Sequence, residues 1–160
     1  MKTIRPMLLL LATLMLSSVA PVAYASAPTT VTGTLTYPPI TVLDIHFANG
    51  NTLITATAPV LFAGDISGTF NGVQHFVIHA DGSGNFQGSG TFTGSMGSAT
   101  GTFSSSFSGT INSDGTDQGR FVITQGTGGL AGIHGVGAFH TPSPNPGFDV
   151  YSGKVHFGPS

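Results

Sequence analysis

The chain has 160 residues, with four Lys or Arg, six acidic residues, six His, no Cys and a formal net charge of −2. The missing thiols exclude disulfides, thiol catalysis and thiolate metal sites. So few cations exclude a nucleic-acid backbone or an anionic lipid surface as partner. The N-terminus reads as a secretory signal: Lys2 and Arg5 form a positive start, Met7 to Leu16 is apolar, and Ala23-Tyr24-Ala25 is a small-residue cleavage pattern. The apolar run is shorter than the roughly 20 residues that span a bilayer. The alternative is an uncleaved N-terminal anchor. Residues 1–25 are thus expected to leave as a signal peptide, with a single domain over 26–160. Lys2 and Arg5 would leave with it, so Arg120 and Lys154 are the only Lys or Arg facing six aspartates. The mature protein is expected to be secreted or periplasmic and not membrane-bound after cleavage.

Beyond the signal, helical periodicity is absent and glycine is abundant, 24 residues in all. Glycine is costly inside helices. Strand-type runs fall at 30–37, 41–48, 52–58, 65–70, 73–80, 85–93, 99–110, 118–124, 133–140 and 149–157. Asn49-Gly50, Asn71-Gly72, Asp81-Gly82 and Asp114-Gly115 supply dipeptides suited to the positive φ angles of tight hairpin turns. Leu43, Ile45 and Phe47 alternate with Val42, Asp44 and His46, and Phe103, Phe107 and Ile111 with serines, as in strands with one buried face. Thr141 to Gly147 holds three prolines and reads as a loop before the last strand. A glycine, a small residue and an aromatic or aliphatic one recur at Gly68-Thr69-Phe70, Gly90-Thr91-Phe92, Gly101-Thr102-Phe103, Gly109-Thr110-Ile111 and Gly137-Ala138-Phe139. The spacing is irregular, which excludes a fixed-period solenoid. Many short strands joined by tight turns imply an all-β sandwich or a closed antiparallel barrel.

Chemical signatures are sparse. Gly126-Thr127-Gly128-Gly129-Leu130-Ala131 matches a loose dinucleotide fingerprint, but a strand rather than a helix follows, so a tight inter-strand connection is the better reading. His75 and His79 share a strand face, yet four residues of extended chain separate them by roughly 13 Å, too far for one ion. No metal site and no cofactor are expected. Glu is absent and no nucleophile elbow occurs, which disfavours paired-carboxylate glycosidase and serine-hydrolase chemistry. Asp44 with His46, or Tyr151 with Arg120, would form an acid/base or ligand-orienting pair if the fold brings them together. These four residues and Phe139 are the candidate ligand-binding set.

The segment from Gly126 to Phe139, with the unit Phe76 to Phe92 turning at Asp81-Gly82-Ser83-Gly84, resembles an uncharacterised bacterial family of small allene oxide cyclase-like barrels. The pattern is G-[ST]-G-x-L-x-G-[LIV]-x-G-x-G-x-F, and the likeness runs from about Thr30 to Phe139. Dirigent proteins and plant allene oxide cyclases are similar at a greater distance. The resemblance implies a single antiparallel β-barrel of about eight strands. It further implies a barrel that holds an apolar molecule and in some members steers a cyclisation. The catalytic carboxylate and water-binding residues of the plant cyclases do not map onto this chain, so their activity is not carried over. Three readings follow: non-covalent binding of a small apolar or aromatic molecule in the barrel, a cofactor-independent cyclase or isomerase using the same cavity, or a structural or surface-interaction protein with a filled barrel. The sequence carries no signal for an oligomeric state. The exported protein is expected to begin at Ser26; mass spectrometry of the secreted form checks this, and a membrane-retained form still carrying residues 1–25 would overturn it.

Overall fold

In the computed structural model the described residues are 26–143 and 147–158. The expected signal peptide and the centre of the proline-rich loop lie outside them. The described chain is all β, with nine strands: β1 (Thr29–Thr36), β2 (Thr41–Ala48), β3 (Asn51–Gly64), β4 (Ile66–Ile78), β5 (Gly84–Met96), β6 (Ala99–Ile111), β7 (Asp117–Gly128), β8 (Ile133–His140) and β9 (Phe148–Phe157). All pairings are antiparallel, in the order β1-β9-β8-β7-β6-β5-β4-β3-β2, and β1 also pairs with β3. Eight strands therefore close a ring, as the resemblance implies, and β2 lies outside it.

The turns follow local chemistry. Asn49 and Gly50 both have positive φ, 51° and 78°, as a type I′ turn demands. Asp81-Gly82 and Asp114-Gly115 build two matching turns. In each, the Asp Oδ1 accepts the backbone N–H and the side-chain hydroxyl of the residue two positions on, Ser83 or Thr116. Asn71-Gly72 is not a turn. Asn71 pairs with Pro59 on one side and Thr91 on the other, so the expected strands 65–70 and 73–80 are one strand, β4. β3 likewise continues through Pro59 to Gly64.

The expected buried face of β2 does not exist. Every residue of β2 is exposed; Leu43 is 57% and Phe47 80% exposed. The reason is topological. β1 pairs with β3 over Leu61–Gly64 and β2 over Asn51–Thr57, on the edge of β3 not taken by β4. The two strands are successive pieces of one interrupted strand, and β2 continues past the ring where no opposing wall covers it. Between them the chain passes through Tyr37-Pro38-Pro39-Ile40. There the edge of β3 at Ala58, Pro59 and Val60 has no strand partner among the described residues.

The core fills one end of the barrel. Ile66, Phe92, Leu130, Ile133 and Val155 are fully buried, with Met96, Ala99 and Phe157 packed against them. The glycine-rich segment after β7 is a tight connection, as expected. Gly129 N–H donates to Thr100 O and Leu130 N–H to Thr127 O, which folds the loop back and buries Leu130 among the core residues. Gln125, at φ 53°, marks a bulge in β7 opposite the register shift between Thr102 and Ser104. The ring closes through only four residue pairs between β1 and β3. Tyr151 stitches this seam from inside: its Oη accepts from Ile66 N–H at 3.1 Å and donates to Ile66 O at 3.2 Å.

Several inward-facing glycines have phenylalanine rings over them, Gly68, Gly109 and Gly137 of the recurrent units among them, whereas a Cβ at Gly90 or Gly101 would meet backbone only. A Cβ at Gly88 would sit 2.5 Å from Phe107 Cζ, at Gly109 2.4 Å from Phe86 Cζ, at Gly119 2.4 Å from Phe139 Cζ, and at Gly137 2.2 Å from Phe121 Cζ. At Gly137 the backbone oxygen of Ser152 stands 2.6 Å away, so the site closes on two sides. Gly137→Val is therefore expected to cost roughly 1–3 kcal/mol by overpacking. Val136→Ala, one position along and pointing outward at 60% exposure, should stay within about 0.5 kcal/mol. Urea unfolding of both variants checks this, and equal effects would mean that the rings move aside freely.

Candidate functional site

The other end of the barrel is hollow. A cavity of about 320 Å³ is lined by Phe62, Phe70, Phe76, Phe86, Phe107, Phe121 and Phe139, with Leu35, Ile40, Ala58, Val60 and Ile111. Its wall is aromatic because β4 to β8 all project phenylalanines inward at period-2 positions. The rings contact one another: Phe70 meets Phe107 edge-on at 5.7 Å, and Phe86 lies 6.0 Å from Phe139 and 6.2 Å from Phe107. Such arrangements suit the ring quadrupoles. Four polar residues interrupt the lining: Tyr37, Gln74, Ser105 and Asp117.

Two of the four belong to a hydrogen-bonded group at the open end. Tyr37 Oη donates to Asp149 Oδ2. Thr141 Oγ1 lies 2.9 Å from Asp149 Oδ1 and 3.5 Å from Asp117 Oδ1, and accepts from Asp117 N–H at 2.9 Å. Asp149 is 2% exposed and enters the barrel from the start of β9, on the same face as Tyr151. Burial raises the Asp117 carboxyl from 3.8 to about 7, aided by the charge of Asp149 and a hydrogen bond to it; Thr141 opposes the shift. Burial and the bond to Asp149 also push Tyr37 upward, so it stays a phenol and a donor. Thus a carboxyl poised between its two protonation states borders an apolar cavity, a setting fit for proton transfer near neutral pH.

The five candidate residues divide. Phe139 lines the cavity. Tyr151 is buried and points inward, but its hydroxyl is spent on Ile66. Arg120 is exposed and outward on β7, so it and Tyr151 lie on opposite faces of the sheet. It borders an open groove of about 490 Å³ on the outer surface with His75, Gln87 and Ser108. Asp44 and His46 are exposed on β2, away from the cavity lining. Of the histidines, His75 Nδ1 meets Thr55 Oγ1 at 3.1 Å, His79 Nδ1 meets Asn51 Oδ1 at 2.8 Å, and His134 stacks on His156 across β8 and β9 at 5.7 Å. No group of three metal-ligating side chains occurs among the described residues. Gln74, Tyr37, Asp117, Asp149 and Thr141 escaped the sequence reading. Parity held a usable signal for two of them. Gln74 is in phase with Phe70 and Phe76, and Asp149 with Tyr151.

Asp117 fixes a sign for the pH dependence of stability. Its folded-state pKa is raised, so the folded chain binds this proton more tightly than the unfolded chain. Its contribution is complete below about pH 4 and is lost as pH rises through about 7. Asp81 and Asp114 act in the opposite sense and at lower pH, because hydrogen bonds from Ser83 and Thr116 depress them below 3.8. Thermal melts should therefore show a falling melting temperature from about pH 4 to 8, and Asp117→Asn should flatten that slope. A wild-type profile without a decline over this range would refute the assignment.

No curated protein matches the chain. A solved structure from Shewanella oneidensis MR-1, a protein of unknown function from the DUF3224 family, is similar at 21% identity and a TM-score of 0.67. The match covers 83% of this chain and 100% of that one. The likeness supports the fold alone. Residues 41–146 match the family described as "Protein of unknown function (DUF3224)". With the match running from the start of β2 through β8, the chain belongs to the DUF3224 family.

Proposed function

We propose that the barrel binds a small apolar, aromatic molecule non-covalently in the phenylalanine-lined cavity of an exported protein. One observation carries the reading: a cavity of about 320 Å³ walled by seven phenylalanines in an eight-strand ring. Eight-strand barrels either fill with side chains or hold one small ligand. A cavity of roughly 150 Å³ lined by apolar side chains takes up benzene, so twice that volume suits about two fused rings. The cavity favours this reading over a filled, purely structural barrel. It also fits the likeness to allene oxide cyclase-like barrels, a relationship that stands here as a proposal. With two cations in residues 26–160, neither nucleic acid nor an anionic membrane surface is a partner on this reading.

A second reading, a cyclase or isomerase acting on an apolar substrate, is favoured by Asp117. A carboxyl raised to about 7 at the cavity wall has the proton affinity that general acid–base catalysis uses. The two readings share the cavity and differ in whether the proton moves.

Fluorescence titration with N-phenyl-1-naphthylamine tests the shared claim. The wild type should enhance the probe's emission with saturation. Ala58→Trp, which places a large side chain at a buried lining position, should weaken binding at least tenfold while the protein stays folded. Absence of saturable enhancement, or unchanged affinity in the Trp variant, would remove the cavity as a binding site. Asp117→Asn should leave probe affinity within about threefold on either reading.

A further inference from the structure

Among the polar residues that line the cavity, three are already committed. Tyr37 Oη donates to Asp149, Ser105 Oγ donates to Val122 O at 2.9 Å, and the Asp117 carboxyl lies 3.5 Å from Thr141 Oγ1 beside Asp149. Gln74 is the exception. It is 7% exposed, points inward in phase with Phe70 and Phe76 on β4, and forms no side-chain hydrogen bond with another described residue. Every fully enclosed side-chain polar atom among the described residues does have a partner. The Gln74 amide atoms therefore open onto the cavity rather than into packed core. The opposed residue on β3 is Ala56, whose small side chain offers the amide no partner.

A primary amide that opens onto an apolar cavity is costly to cover without a partner, and its two N–H donors and one carbonyl acceptor impose direction on an otherwise undirected apolar space. Buried polar groups left open in a pocket are what reject ligands lacking the complementary group. We infer that Gln74 is the specificity-determining residue of the cavity and that its amide hydrogen-bonds a hydroxyl or carbonyl group carried by a ligand of about two fused aromatic rings. The inference rests on the cavity being a binding site. It adds that the ligand is amphipathic, with one polar substituent directed toward β4 and an apolar body against the phenylalanines.

The test compares naphthalene with 2-naphthol, two molecules that differ by one hydroxyl, through displacement of N-phenyl-1-naphthylamine. The wild type should bind 2-naphthol about tenfold more tightly than naphthalene, the worth of one net hydrogen bond. Gln74→Leu should reduce that preference to within twofold and keep naphthalene affinity within threefold, with a melting temperature at or above wild type. Gln74→Met serves as a second variant, and should also lose the preference. If the wild type binds both molecules equally, Gln74 holds only water and the inference is overturned while the cavity reading survives. If either Gln74 variant keeps the tenfold preference, another group reads the hydroxyl and the inference again fails. If neither molecule displaces the probe and the probe itself does not bind, the cavity reading falls and takes the inference with it.

Discussion

Phenylalanine rings laid over inward-facing glycines set the bore of this barrel. An eight-strand ring has room for one layer of large side chains, and its inward phenylalanines, if all pointed at the axis, would leave no lumen. The glycines resolve this by removing Cβ from the wall where a ring must lie. Phe86, Phe107, Phe121 and Phe139 each rest against a glycine of a neighbouring strand, so the rings face the wall rather than the axis. Volume that side chains would otherwise fill is left along the centre. At the closed end Phe92 likewise lies over Gly68 and Gly94, and aliphatic side chains supply the filling. There Ile66, Leu130, Ile133 and Val155 fill the axis, and Phe92 stacks on Phe103 at 4.4 Å. Pairing of glycine with phenylalanine across neighbouring strands is therefore a packing device that leaves room for the cavity.

Polarity is placed with similar economy. The outer faces of β5 and β6 carry serine and threonine in register, such as Ser89 opposite Ser106 and Thr93 opposite Thr102, which solvates the sheet with little charge. The inner surface admits few polar groups, and they gather toward the open end. Asp149 and Asp117 tolerate one another because Tyr37 and Thr141 share the hydrogen bonding and because Asp117 holds its proton to about neutral pH. Two ionised carboxylates would not tolerate this enclosure as readily.

How much of this was legible in the sequence depends on the scale of the signal. Local turn chemistry read correctly at Asn49-Gly50, Asp81-Gly82 and Asp114-Gly115, because the residues that need positive φ or cap the turn sit within it. Asn71-Gly72 carries the same letters but lies between two long partners, β3 and β5, and pairing on both sides overrides the turn preference. The alternation in β2 is as clean as that in β6, yet β6 has a wall across the lumen and β2 has none; that difference is tertiary. For the candidate site, Phe139 could be found from the glycine-aromatic pattern. Asp117 and Thr141 could not, because they meet Asp149 only when β7, the end of β8 and β9 close against one another.

The edge of β3 left open at Ala58, Pro59 and Val60 bears on access to the cavity. Ala58 and Val60 line the cavity, as do Tyr37 and Ile40, which cross the break. Pro59 has no N–H to offer a neighbour. A molecule exchanging through the wall here would break no strand-to-strand hydrogen bond and would instead have to displace the side chains of Tyr37 and Ile40. Tyr37 is itself held by its bond to Asp149, so the side chain beside the break is tied to the same carboxylate that adds to the effect of burial on Asp117.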